Sequence, residues 1–269
     1  MSIITLTSDY GNKDYFISAV KGYLFSNLIS TKIIDISHEI TPFHIGECAY
    51  ILRNSYPFYP SKTIHIIGLD SENEKSKKHI IAKVDEQYFI GTDGGLFSLV
   101  FQNRKIETIV EINFNEQIKE TTFPMLNVFA KIACEIINGK KIEEFGVLTN
   151  SFIYNKQSKP IIKIDNDKKR KTIVAEVIYI DRFGNIITNV SKKFFKENID
   201  KQAFTIILRR NQKIDVISNK YSDVGEGNML AIFNSANLLE ISIMRRNTSE
   251  TGANLLLGIE EKDNILIDY

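Results

Sequence analysis

The apolar pattern of the chain changes character once, near residue 150, and that change limits the folds open to it. Before it, short apolar runs alternate with segments of helical period. IITLTSD (Ile3–Asp9) is a buried strand running into a loop. Phe16, Ile17, Val20, Leu24, Phe25 and Leu28 then recur at the spacing of one helix face. Lys32–Ser37 is a second strand, Glu47–Tyr56 a further helical segment and Thr63–Asp70 a third strand. Strand, helix, strand, helix, strand is the rhythm of a parallel sheet with crossover helices. HIIAKV, QYFIGTD and ETIVEI add strands, and Asn127–Ile137 is helical with a stop at Asn138 and Gly139.

Beyond the change, Gln157–Thr172 is polar with a Lys/Arg cluster, a solvated linker or hairpin. From Ile173 onward IVAEVIYID, NIITNV, FTIILRR, KIDVIS, MLAIFN, LLEISIM and NILIDY follow one another at intervals of about ten residues, with turn residues between them. The expected fold is an α/β N-terminal domain (1–165) with a mainly parallel sheet, followed by a smaller all-β barrel-like C-terminal domain (172–269).

Charge excludes two classes of partner. Lys plus Arg total 34 and Asp plus Glu 33, a net charge of +1 that suits neither nucleic acid nor a membrane surface. No apolar run reaches the roughly 20 residues that cross a bilayer. The opening MSIITLTSDYGNKDY lacks a basic segment followed by an apolar core, so no signal peptide is expected. Cys48 and Cys134 are the only cysteines and lie far apart, the pattern of free thiols in a reducing, cytoplasmic setting.

In a parallel α/β sheet ligands bind beyond the C-terminal ends of the strands. Asp9, Asp70 and Asp93 stand at such ends, and Asp35 lies within the second strand. Asp9 and Asp14, around Gly11, have two open readings: caps of the first helix, or acceptors for ribose hydroxyls. His38, in IDISHEITPF, reads as a hydrogen-bonded structural histidine. His44, His65 and His79 are scattered without metal-ligand spacing, so no metal is expected. GxGxxG, GxxxxGK[ST] and GxSxG are all absent. In the second domain YIDRFGNIITN places Asp181, Asn185 and Asn189 where a strand wants apolar residues, with Phe183 free to stack on a planar ring. FNSANLLEI groups Asn234, Ser235 and Asn237 in a tight turn with Glu240 on the return strand; an ordinary hairpin explains this second cluster equally well.

TSDYGNKDYFISAVKG, IIDISHEITPF, YFIGTDGGLFSLV, IDRFGNIITN and FNSANLLEISI occur in this order. Together they resemble the S-adenosyl-L-methionine (SAM) hydroxide adenosyltransferases, or adenosine-forming SAM hydrolases, relatives of the fluorinase and chlorinase enzymes. The resemblance spans essentially the whole chain and implies the same two-domain fold. It also implies a homotrimer with sites between neighbouring subunits, and SAM as substrate with no separate cofactor. It places Asp9 on the ribose hydroxyls, Asp14 at another polar site position, and Phe43 near the sugar and the methionine end. Asp181 and Ser235 fall on the methionine amino and carboxylate groups, Phe183 and Asn185 in the adenine pocket. The family's Asp-Arg-His set corresponds to Asp70, Lys77 and Pro124, so Asp70 and Lys77 are the implied catalytic pair. Lysine keeps the charge of arginine without its bidentate fork. The implied reaction is attack of water on the ribose C5′, giving adenosine and methionine. SAM or adenosine binding without turnover, or transfer to another nucleophile, stays open beside it.

Overall fold

The computed structural model describes residues 2–71, 78–102, 104–113, 121–165, 167, 170–200, 202–244 and 252–269. Lys77 lies outside the described residues. The chain divides into two compact units, 1–156 and 157–269.

The first unit runs β1 (Ile3–Ser8), α1 (Phe16–Asn27), β2 (Lys32–Ser37), α2 (Ile45–Ser55), β3 (Ile64–Gly68), β4 (His79–Val84), β5 (Gln87–Thr92), α3 (Leu96–Phe101) and β6 (Ile106–Ile112). It continues with α4, a π-helical turn Met125–Ala130 leading into α-helix Lys131–Ile137, and β7 (Gly146–Leu148). The sheet order is β2-β1-β3-β5-β4-β6-β7. The β2-β1-β3-β5 side is parallel, as the strand–helix rhythm requires. The β5-β4-β6-β7 side is antiparallel. The reason is local: Asp85 and Glu86 both adopt positive φ, the two-residue turn that joins antiparallel strands. The sheet is therefore mixed.

Both faces of this sheet are covered. Ile17, Val20 and Leu24 of α1 pack with Ile4, Leu6, Ile66 and the α4 residues Met125 and Phe129 on one face. Cys48 and Leu52 of α2 and Leu96 and Phe97 of α3 cover Ile67 and Leu69 on the other. Every residue of β3 is buried, which is why it reads as an unbroken apolar run. Phe25, counted on the apolar face of α1, is instead 63% exposed.

His65 of β3 lies between Tyr56 and Phe89 in that second layer. Its Nε2 is 2.6 Å from Gln87 Oε1 and its Nδ1 2.7 Å from Thr5 Oγ1. An amide oxygen only accepts, so Nε2 carries the proton and Thr5 donates to Nδ1. Burial holds the His65 imidazole down at about 4, and that of His79 equally.

The second unit comprises β8 (Ile161–Asp165), β9 (Arg170–Ile180), β10 (Ile186–Ser191), α5 (Lys192–Ile199), β11 (Thr205–Ile207), β12 (Lys213–Ile214), β13 (Ile217–Ser218), β14 (Met229–Phe233), β15 (Leu238–Ile243), α6 (Ala253–Leu257) and β16 (Asn264–Asp268). Its order is β12-β11-β16-β9-β10-β15-β14-β13, with β8 also on β9. β8 and β9 form the hairpin, so Ile161–Asp165 belongs to the second unit. β9 serves both halves of a barrel-like sheet: 172–176 pair with β16 and 177–180 with β10. Its alternating burial points Ile173, Ala175 and Val177 into an apolar core with Ile186, Leu239 and Ile267.

Candidate active site

The parallel strands β1 and β3 lie side by side, so the loops that follow them are neighbours. Asp9 opens the first loop. Its Oδ2 accepts the Phe43 N–H at 3.0 Å, and its carboxylate also accepts the Asp70 N–H. Burial raises the Asp9 carboxyl above its ordinary value, opposed by these backbone N–H bonds and assisted by the neighbouring charge of Asp70. Asp9, Phe43 and Asp70 are thus brought together. Phe43 has φ 64° and stands 63% exposed, its ring presented outward. Asp70 has φ 44°, a left-handed conformation that aspartate tolerates better than most residues. Asp14 is exposed on the loop before α1. Neither acid caps that helix, whose N-cap position is Tyr15 with no side-chain bond.

The next residues join in the same register. Tyr10 Oη lies 2.7 Å from Ser71 Oγ. The Tyr10 ring packs on Phe16 and Phe123, with centroids 5.5 and 5.7 Å away. Gly68 makes room for this. A Cβ there would stand 3.3 Å from the Tyr10 ring and 2.5 Å from Met125 Sδ. Met125, at the start of α4, therefore presents its thioether to this corner, and Pro124 before it is no acid–base group either.

His38 anchors the loop from beneath. Its Nδ1 is 2.7 Å from Ser8 Oγ, and its backbone oxygen accepts the Gly11 N–H. Nε2 lies 3.1 Å from Asp35 Oδ1, while Asp35 Oδ2 meets Lys21 Nζ at 2.5 Å. Burial acts to raise the Asp35 carboxyl, but the Lys21 and His38 bonds outweigh it and hold it below its usual value. Serine, imidazole and carboxylate in sequence have the chemistry of an acyl-transfer triad. Ser8 is fully buried, however, so the set secures the backbone beside Asp9. His38 is structural, as expected. Asp93 is equally spoken for, since both its oxygens accept the Ile153 N–H. Among the described residues no group of three or more potential metal ligands occurs.

In the second unit the β9–β10 turn is closed by Asp181. Its Oδ1 accepts the N–H of Phe183 at 2.8 Å and of Asn185 at 2.9 Å, and its Oδ2 accepts Asn185 Nδ2 at 2.9 Å. A carboxylate has about four acceptor positions, so roughly one is left for a ligand. Asn185 is buried, and its Oδ1 takes the Ser242 O–H at 2.5 Å. Phe183 stands 52% exposed at the tip. Gly184 has φ +75°, and a Cβ there would meet Gly252 Cα at 2.6 Å. Gly184→Ala should therefore cost roughly 1–3 kcal/mol through strain and overpacking. A shift of the urea midpoint to lower concentration checks it, and an unchanged midpoint refutes it.

Ser235 is exposed in the turn between β14 and β15. Asn234 Oδ1 accepts the N–H of Ala236 and Leu238 there, the ordinary hairpin chemistry. Glu240 is buried beside it, accepting the Tyr221 O–H at 2.8 Å. Burial raises its carboxyl, opposed by bonds to Tyr221 and Asn234 and assisted by the charge of Asp181. Glu240 thereby links the two polar clusters. Tyr10 and Ser71 are absent from the site read from the sequence, which names Glu240 only beside the Asn234–Asn237 turn. Glu240 had a signal, a lone acid in the apolar run LLEISI; Tyr10 and Ser71, 61 residues apart, had none.

Residues 4–146 match the SAM hydroxide adenosyltransferase N-terminal domain and residues 175–266 the SAM hydroxide adenosyltransferase C-terminal domain. The chain is similar to the (R)-S-adenosyl-L-methionine hydrolase of Methanocaldococcus jannaschii, at 32% identity over 100% of this chain and 97% of that protein. The (R)-S-adenosyl-L-methionine hydrolase of Salinispora tropica is 22% identical over 98% of this chain and 97% of its own. Among solved structures, an uncharacterized conserved protein from Thermotoga maritima superposes with a TM-score of 0.82. It is 27% identical and covers 98% of this chain and 99% of its own.

Proposed function

The chain belongs to the SAM hydroxide adenosyltransferase family, and from that premise we propose how it acts as a SAM hydrolase. Water attacks the ribose C5′ of SAM. The C5′–S bond breaks, its electron pair goes to sulfur, and methionine leaves. The water proton passes to Asp70 and then to solvent, leaving adenosine. The sulfonium is its own activated leaving group, so the reading calls for no cofactor and no metal. The protein supplies orientation, exclusion of bulk water and a base.

One observation carries this reading: the family match extends over both domains, and the loops after β1 and β3 set the Asp9 and Asp70 carboxylates together. Asp9 receives the ribose hydroxyls and Phe43 lies against the sugar, with Asp14 on the polar rim. Asp181 takes the methionine ammonium with its remaining acceptor position and Ser235 the carboxylate. Phe183 stacks on adenine, and Asn185 bonds its edge. Lys77, outside the described residues, completes the catalytic pair that the family resemblance implies. The enzyme works as a cytoplasmic homotrimer, with substrate at the interfaces between subunits. No helix among the described residues is long and apolar enough to cross a membrane.

The test is incubation of purified protein with SAM of both sulfur configurations, with adenosine and methionine followed by chromatography and SAM binding by calorimetry. The expected result is adenosine and methionine in equal amounts, drawn from the (R) form that the relatives' names specify. Tight binding without product would replace hydrolysis by binding alone or by transfer to another nucleophile. Pro124 and Met125 favour that second reading, because they bring no proton-transfer group to the start of α4.

A further inference from the structure

Asp70 is the one base in the proposed reaction, and it has an uncommon backbone. Its φ of 44° lies in the left-handed region, uncommon for a residue with a side chain although aspartate adopts it more readily than most. Two consecutive residues of the β1 loop grip two consecutive residues of the β3 loop. Asp9 takes the Asp70 N–H, and the Tyr10 hydroxyl meets the Ser71 hydroxyl at 2.7 Å. Ser71 is only 6% exposed, so this bond forms away from competing water. Tyr10 has little freedom to move. Phe16 and Phe123 flank its ring, and the bare Cα of Gly68 lets it lie against β3.

We infer that the Tyr10–Ser71 hydroxyl pair is a clamp that fixes the direction of the Asp70 carboxylate, making Tyr10 and Ser71 positioning residues for the attacking water. The inference rests on the hydrolase reading above. Its chemistry follows from position. Asp9 restrains Asp70 through the N–H on one side, and the Tyr10–Ser71 hydroxyl pair restrains the chain on the other. A base displaced by about 1 Å loses on the order of 10²-fold in rate without any loss of substrate binding. Pro124 and Met125, where the family places its histidine, bring no acid–base group of their own to make up the difference.

Tyr10→Phe and Ser71→Ala each remove one hydroxyl and change little else. Each is expected to lower kcat for SAM hydrolysis by at least about ten-fold while KM stays within about three-fold. The double variant should be no slower than either single one, since both break the same clamp. Ser71→Thr, which keeps the hydroxyl, should restore most of the rate. Turnover in Tyr10→Phe within about two-fold of the parent, or a loss confined to KM, overturns the clamp. Should Ser71→Ala fail to fold, Tyr10→Phe alone decides. An active parent with active variants overturns this inference only; a parent that forms no adenosine overturns the hydrolase reading and the clamp with it.

Discussion

Asp70→Asn is expected to lower kcat for SAM hydrolysis by roughly 10²–10⁴-fold, the range that a positioned general base contributes. The dissociation constant for SAM should stay within about three-fold of the parent. Asparagine has the shape of aspartate and is among the few residues at ease with positive φ, so the turn at φ 44° survives the change. The Asp70 N–H remains available to the Asp9 carboxylate. What disappears is the ability to accept a proton. Parallel kinetics and calorimetry separate the two effects. Unchanged turnover would remove Asp70 from the chemistry, and lost binding with lost turnover would make it a substrate ligand.

Stability is expected to fall steeply as pH drops from about 6.5 toward 4. The His65 and His79 imidazoles are held down at about 4 in the fold by burial, against 6.5 in the unfolded chain. Above 6.5 neither state binds these protons and the histidines add no pH dependence. Between the two values the unfolded chain takes up two protons that the native state refuses, so acid favours unfolding. At 1.36 kcal/mol per unit, each imidazole costs roughly 3 kcal/mol once pH reaches the folded value. Together that is ~6 kcal/mol, comparable with the whole stability of many domains. Lowered Asp35 and Glu107 carboxyls add to the loss at lower pH. Asp9, Asp93 and Glu240, raised by burial, work in the opposite direction and offset part of it. Urea midpoints at pH 7.5 and 4.5 test the sum. Equal midpoints would mean that His65 and His79 are not buried as neutral rings.

Much of this protein is legible locally. The apolar run of β3 and the helical spacing of Ile17, Val20 and Leu24 are properties of neighbours in the chain, and so appear unaltered in the structure. The strands from Ile173 onward are equally readable, although KIDVIS divides into β12 and β13. The polar residues Asp181 and Asn185 announce themselves because they interrupt an apolar pattern. Their turn closes on itself within five residues, with Ser242, Gly252 and Asn254 meeting it from farther along the chain. The short helices Lys192–Ile199 and Ala253–Leu257 carry no comparable local signal, being brief segments between stronger strand patterns.

By itself, then, the sequence determined the two-part architecture, the acids at the ends of β1 and β3, and the polar interruption at Asp181 and Asn185. These follow from periodicity and turn chemistry, which act over a few residues. The tertiary structure alone decided that β4 lies between β5 and β6 and that β16 returns to the middle of the second sheet, between β11 and β9. It alone decided which side chains meet across 61 residues, Tyr10 with Ser71, and across 30, Ser8 with His38. Such pairings depend on which strands lie side by side and on the room a glycine such as Gly68 leaves between them. They are settled only when the competing faces of the whole sheet are buried at once, and no local pattern encodes that outcome.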